Sequence, residues 1–174
     1  MSDASEAIPP SASDPKREPR PLVRAAERGP EQTFSHPFNP SSLIRGVSLS
    51  QMAGLERLGI HLIHVPPGKE SLVYHSHQGE EEFLYILSGR GMAEIDGHEH
   101  EVGPGDFMGF RTPSVAHHLR NPFGEELVYL MGGERRPVEI ADFPRHGKRM
   151  VRSGARVSIH SIESAEPFEG YPPI

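Results

Sequence analysis

Three histidines and a glutamate carry the clearest chemical signal in this chain. In His75-Ser76-His77 two imidazoles stand two positions apart. On a strand, side chains at that spacing share one face, so both rings aim the same way. Glu82 follows five positions after His77 and opens a strongly apolar run, with Glu81 as the alternative in the same acidic stretch. His117 comes well downstream, four positions before Asn121, and its neighbour His118 is the alternative that points to the opposite face. Three neutral imidazoles and one carboxylate suit a single first-row divalent ion. On an ion that takes more than four ligands, such a set leaves positions open for substrate, water or dioxygen. Iron, manganese, zinc and nickel all fit this donor set, and availability decides among them.

The composition agrees. The 174 residues contain no cysteine, which excludes disulfides, thiolate metal sites and cysteine nucleophiles. Any metal must then be held by nitrogen and oxygen, and the 11 histidines make imidazole ligation the natural route. A formal charge of −6 argues against nucleic acid as a partner, because phosphate neutralisation needs a basic surface. The N-terminus has no apolar signal-peptide core and no run is long enough to span a bilayer, so a cytoplasmic protein with no membrane association is expected.

The elements that must position these residues are short strands. Residues 1–32 read as a disordered or arm-like tail, rich in Pro, Ser, Ala and charge, with too little apolar content to offset ordering entropy. Residues 33–145 read as one β-domain, with part of 33–45 adding a strand at its edge. Strands are expected over 58–65, 72–77, 82–87, 92–95, 98–102, 107–110, 116–119 and 127–131. Asp96-Gly97 is a two-residue hairpin signal, and Ser50 to Leu58 has room for one turn of helix. Many short strands with Gly/Pro turns predict an all-β sandwich or barrel. Residues 146–174 read as a C-terminal arm, solvated or packed on a second subunit.

The stretch Gly68 to Gly89 resembles the first motif of the cupin superfamily: a glycine, a His-x-His pair, four residues, a glutamate, six residues and a glycine. Gly97 to Asn121 resembles the second motif, with Pro104-Gly105-Asp106, Pro113, and His117 placed against Asn121. Two departures stand out. Six residues rather than five separate Gly68 from His75, and Ser114-Val115 replaces the glycine expected after Pro113. The resemblance implies a single-domain cupin: a double-stranded β-helix, or jelly-roll barrel, with irregular terminal arms. It also implies one divalent metal held by His75, His77, Glu82 and His117.

Other residues weigh less. His98-Glu99-His100 repeats the spacing but lacks a matched carboxylate, so a second metal site is not expected there. His61 and His64 face opposite sides of one strand, and His61 could line the cavity. Arg111 and Asn121 are further substrate-binding candidates, although Asn121 fits better as a residue that fixes a loop. Lys69, Arg111 and Arg120 are candidates for holding an anion. Asp106 after Pro-Gly reads as a turn former. No general base is identifiable.

Fold does not dictate function, so three readings follow from the resemblance. The first is a small-molecule oxidoreductase of dioxygenase type. The second is a metal-dependent isomerase or lyase of the kind described as sugar-phosphate-isomerase-like. The third is a non-catalytic cupin that binds a small ligand. A homodimer is expected, because a second copy would cover an open sheet edge.

Overall fold

Alternation of apolar side chains builds the sheets. In the run from Glu82 to Ser88, Leu84 and Ile86 are buried while Tyr85 and Leu87 are exposed, as a strand with one face on a core requires. A computed structural model of the chain describes residues 20–164. Its strands are β1 (Gln32–Phe34), β2 (Ile44–Ser48), β3 (Leu58–Val65), β4 (Ser76–His77), β5 (Glu82–Ser88), β6 (Gly91–Ile95), β7 (His98–Val102), β8 (Phe107–Phe110), β9 (His117–Arg120), β10 (Leu127–Glu134), β11 (Val138–Phe143), β12 (Lys148–Ser153) and β13 (Arg156–Ser161). A single helix turn, α1 (Leu49–Ala53), joins β2 to β3, with the Ser48 hydroxyl accepting from Gln51 N at its start. No helix among the described residues is long and apolar enough to cross a membrane.

The strands form a predominantly antiparallel, jelly-roll-like barrel. One wall is a six-stranded sheet in the order β1-β2-β3-β10-β5-β8. The facing wall is made of two smaller sheets, β7-β6-β9 and β13-β12-β11-β4. They meet where His75 and His117 exchange backbone hydrogen bonds: His75 N donates to His117 O at 3.0 Å, and His117 N to His75 O at 2.8 Å. Val65, Ile86 and Leu127 are completely buried between the walls, with Leu119, Tyr129 and Phe110 beside them. Burying each large aliphatic side chain stabilises the fold by about 1.5–3 kcal/mol.

Three stretches differ from the expectations. The strand expected over 72–77 is reduced to Ser76–His77, which pairs with Ala141 and Asp142 of β11. Upstream, residues 70–75 make single bridges to different partners, Glu70 to both Ser42 and Arg120 and His75 to His117. That segment crosses between sheets, so it cannot keep one ladder. The arm expected from residue 146 instead forms the β12–β13 hairpin on β11 over residues 148–161. Its arginines hid the pattern, because they are partnered: Arg149 makes a two-pronged bond to Asp142 at 2.7 and 2.9 Å, and Arg152 pairs with Glu80. The expected N-terminal tail overlaps residues 20–31, where Arg20 N donates to Met52 O and Ala25–Glu27 form a 3-10 turn. Residues 1–19 and 165–174 lie outside the described part.

Candidate metal centre

His75 and His77 enter the site from the crossing segment and β4, Glu82 from the start of β5, and His117 from the start of β9. The hairpin at Gly89 follows β5 closely, and its geometry demands glycine. The φ there is +73°, and a Cβ would lie 2.1 Å from the Glu126 carbonyl oxygen.

The four side chains converge, with one ligand atom of each lying within 4.8 Å of the others. Glu82 Oε2 stands 2.8 Å from His117 Nε2, 3.7 Å from His77 Nε2 and 4.0 Å from His75 Nε2. Donors about 2.1 Å from one ion stand no more than about 4.2 Å apart, so these separations fit a shared ion.

The opposite edge of each ring fixes its tautomer. His75 Nδ1 lies 2.7 Å from Val73 O, and His117 Nδ1 lies 3.1 Å from Val115 O. A carbonyl only accepts, so both Nδ1 atoms carry a proton and both Nε2 atoms are directed at the cluster. His77 Nδ1 does the same to the Glu139 carboxylate at 3.2 Å. His117 Nε2 and Glu82 Oε2 lie 2.8 Å apart, within hydrogen-bonding distance, at a place where a cation could replace the shared proton. Phe110 stacks on the His117 ring at 3.7 Å, nearly parallel at 9°, which holds the imidazole plane. This donor chemistry fits a divalent transition metal.

Electrostatics point the same way. Burial, then the neighbouring His117, lowers the His75 imidazole to about 3, against the opposing pull of Glu82. Burial pushes the Glu82 carboxyl up, but the His117 hydrogen bond and the three imidazoles outweigh it and hold Glu82 at about 2. At neutral pH the centre therefore holds a neutral His75 beside a charged Glu82, the states in which each can bind a metal. Behind the cluster, Leu84, Met108 and Tyr129 fill the barrel and leave about 20 Å³, room for about one water.

An open cleft reaches the centre, and a second, opening over the outer face of the six-stranded sheet, borders Glu82. One, of about 190 Å³, is lined by His61, His77, Glu80, Glu82, Arg135 and Arg152. The other, of about 450 Å³, touches Glu82 and is otherwise mostly apolar, with Ile60, Phe83, Phe107, Phe110 and Arg111.

The remaining candidates are distributed as follows. His61 lines the first cleft and Arg111 the second. Asn121 is buried away from both: its Nδ2 donates to Val65 O and Glu125 O at 2.9 and 2.7 Å, and its Oδ1 accepts from Phe123 N. It fixes the loop after β9. His118 lies on the other face of β9, covered from solvent, with its Nε2 3.5 Å from Glu70. Glu81 is exposed, and its backbone N donates to Glu134 Oε2. Arg120 pairs with Glu99 outside the barrel, and Lys69 lies in the turn after β3. His98 and His100 are exposed on β7, and no third donor gathers with them among the described residues. Sequence reasoning missed Glu139 and Arg135, both downstream of the motifs. A lone acidic or basic residue on a β-strand or just past one gives no signal without its spatial partner.

Comparison with known proteins agrees with this architecture. The cupin-domain family profile matches residues 61–133. The structure superposes on that of a candidate sugar phosphate isomerase from Acidithiobacillus ferrooxidans with a TM-score of 0.82 and 34% identity, covering 86% of this chain and 97% of that one. A sugar phosphate isomerase of the cupin superfamily from Silicibacter pomeroyi matches with a TM-score of 0.71 and 21% identity over 82% and 92% of the two chains, a likeness of fold. An uncharacterized protein of Methanocaldococcus jannaschii is 39% identical over 57 residues; the match covers 33% of this chain and 44% of that protein's length.

Proposed function

We propose, from the premise that this chain belongs to the cupin family as a single-domain member, that it is a metal-dependent isomerase or lyase acting on a small molecule. His75, His77, Glu82 and His117 hold one divalent metal in this reading. The observation that carries the reaction class is His61. It is not one of the four converging residues, yet it lines the same cleft as His77 and Glu82. Burial, then Arg135, lowers its imidazole below the ordinary value, with Glu82 opposing. His61 is therefore neutral at physiological pH and free to accept a proton. Arg135 flanks it and meets no carboxylate among the described residues, so it can hold an anionic end of the substrate. Gly59 and Gly133, paired across β3 and β10, line this cleft without adding a side chain to it.

A divalent ion held by His75, His77, Glu82 and His117 would supply Lewis-acid polarisation of a substrate carbonyl or hydroxyl oxygen. His61 would remove or return a proton at the adjacent carbon. Support comes from the structural relative at 34% identity, described as a candidate sugar phosphate isomerase. The dioxygenase reading ranks second: it uses the same open centre but assigns His61 no task. A homodimer completes the proposal, because Phe107, Leu87 and Tyr85 form an exposed apolar patch on the outer face of the six-stranded sheet.

The test is to load the chain with manganese or zinc, incubate it with small hydroxy and oxo compounds bearing phosphate or carboxylate groups in D2O, and follow deuterium entry by NMR. Exchange without oxygen uptake, lost in His61→Gln while metal content stays, supports the reading. Oxygen uptake coupled to turnover overturns it in favour of the dioxygenase.

A further inference from the structure

Glu139, on β11, is the most deeply buried carboxylate near the centre, with its side chain 1% exposed. Removing a carboxylate from water costs several kcal/mol unless charge and hydrogen bonds compensate. No lysine or arginine pairs with it among the described residues. Its Oε1 accepts instead from His77 Nδ1 at 3.2 Å, Gln78 N at 3.2 Å and Gly79 N at 3.4 Å. Its Oε2 is buried without a hydrogen-bond partner, pressed against Gly79, where a Cβ would come within 2.8 Å of it.

Anchoring the loop after β4 does not explain a carboxylate. A glutamine oxygen would accept the same three bonds without burying a charge. The remaining neighbour, Glu80, approaches His77 and Glu139, but it is engaged by Arg152 and by Arg136 N. The three therefore do not make a second cation site. What the charge does match is the centre itself. Three neutral imidazoles and Glu82 leave a divalent ion with one uncompensated positive charge, and Glu139 lies one imidazole away.

We propose that Glu139 is a positioning residue of the metal centre, fixing His77 as the Nδ1–H tautomer with Nε2 toward Glu82 and supplying the second negative charge that balances a divalent ion. This rests on the metal reading of the site. It also extends the centre beyond the segment matched by the family profile, which ends at residue 133. The hairpin partner β12 then matters to the metal, because it pairs with β11 along its whole length.

The experiment compares wild type, Glu139→Gln and Glu139→Ala. The His77 tautomer is read from ¹⁵N–¹H NMR of the metal-free chain, and zinc affinity from competition with a chelator. The expected wild-type tautomer is Nδ1–H. In Glu139→Ala the tautomers mix and zinc binds about 10–100-fold more weakly, the usual loss when a partner of a ligating histidine is removed. Glu139→Gln keeps the tautomer but still weakens zinc, because the charge is gone. A wild-type His77 in the Nε2–H form overturns the proposal, as does unweakened zinc binding in either variant. Should Glu139→Ala fail to fold, the wild-type tautomer and the glutamine variant decide alone. No zinc uptake by the wild type overturns the metal reading; zinc uptake that neither variant weakens overturns only the role of Glu139.

Discussion

In the metal-free protein, His75 should be a main source of the loss of stability at mildly acid pH, alongside His36, whose imidazole is lowered by burial to about 4. Its imidazole is buried and lowered to about 3 from an ordinary 6.5. The unfolded chain takes up a proton near 6.5 that the folded chain refuses until about 3. Stability is therefore full above 6.5 and falls as pH drops through that value, levelling only near the folded value. Between about pH 7.5 and about pH 5 the loss from this one group is about 2 kcal/mol. The figure is insensitive to how deep the depression runs, since any folded value below about 4 gives nearly the same loss at about pH 5. His75→Gln cannot take up the proton. Urea unfolding of chelator-treated wild type and His75→Gln at the two pH values gives the term as a difference, in which His36 and the other histidines away from the centre contribute equally to both. A variant that loses as much stability as the wild type refutes the argument: His75 would then be solvated or already charged in the folded chain.

Other outcomes follow from single contacts. Glu82→Ala removes the only charged ligand, and elemental analysis should find metal far below one per chain; full retention would count against the centre. Gly89→Ala combines a left-handed φ with a Cβ pressed into the Glu126 carbonyl, so it should destabilise by about 2–4 kcal/mol in urea unfolding. Asn121→Ala strands two carbonyls in the loop after β9 and should cost about 1–3 kcal/mol while leaving metal content unchanged. Tyr85→Ser with Phe107→Ser should convert a dimer into a monomer by light scattering; an unchanged mass places the interface elsewhere.

Much of the fold was legible because it is written in short-range patterns. The apolar alternation of Leu84 and Ile86 against Tyr85 and Leu87 announces β5 without any tertiary knowledge, and Asp96-Gly97 announces the β6–β7 hairpin. The four converging side chains were legible for a similar reason: His75 and His77 share a face by spacing, and Glu82 and His117 sit at offsets that resemble known motifs. What escaped depends on contacts between distant residues. His77 meets Glu139 across 62 positions, and Glu139 alone looks like any exposed strand glutamate. The β12–β13 hairpin escaped because Arg149 and Arg152 mask its alternation, and their carboxylate partners come from β11 and the β4–β5 loop. The crossing segment at 70–75 looked like a strand because its residues are strand formers; only the change of partners breaks it.

The seam between the two smaller sheets has a kinetic consequence. His75 and His117 supply both the side chains that converge at the centre and the backbone amides that stitch the sheets together. Opening that stitch must pull two of the four donors apart, so an occupant held between them resists the opening. Amide exchange at His75 and His117 then becomes a local gauge of occupancy: faster when the centre is bare, and slowed by up to a free energy of RT ln(1 + c/Kd), c being the free ligand concentration, when it is filled.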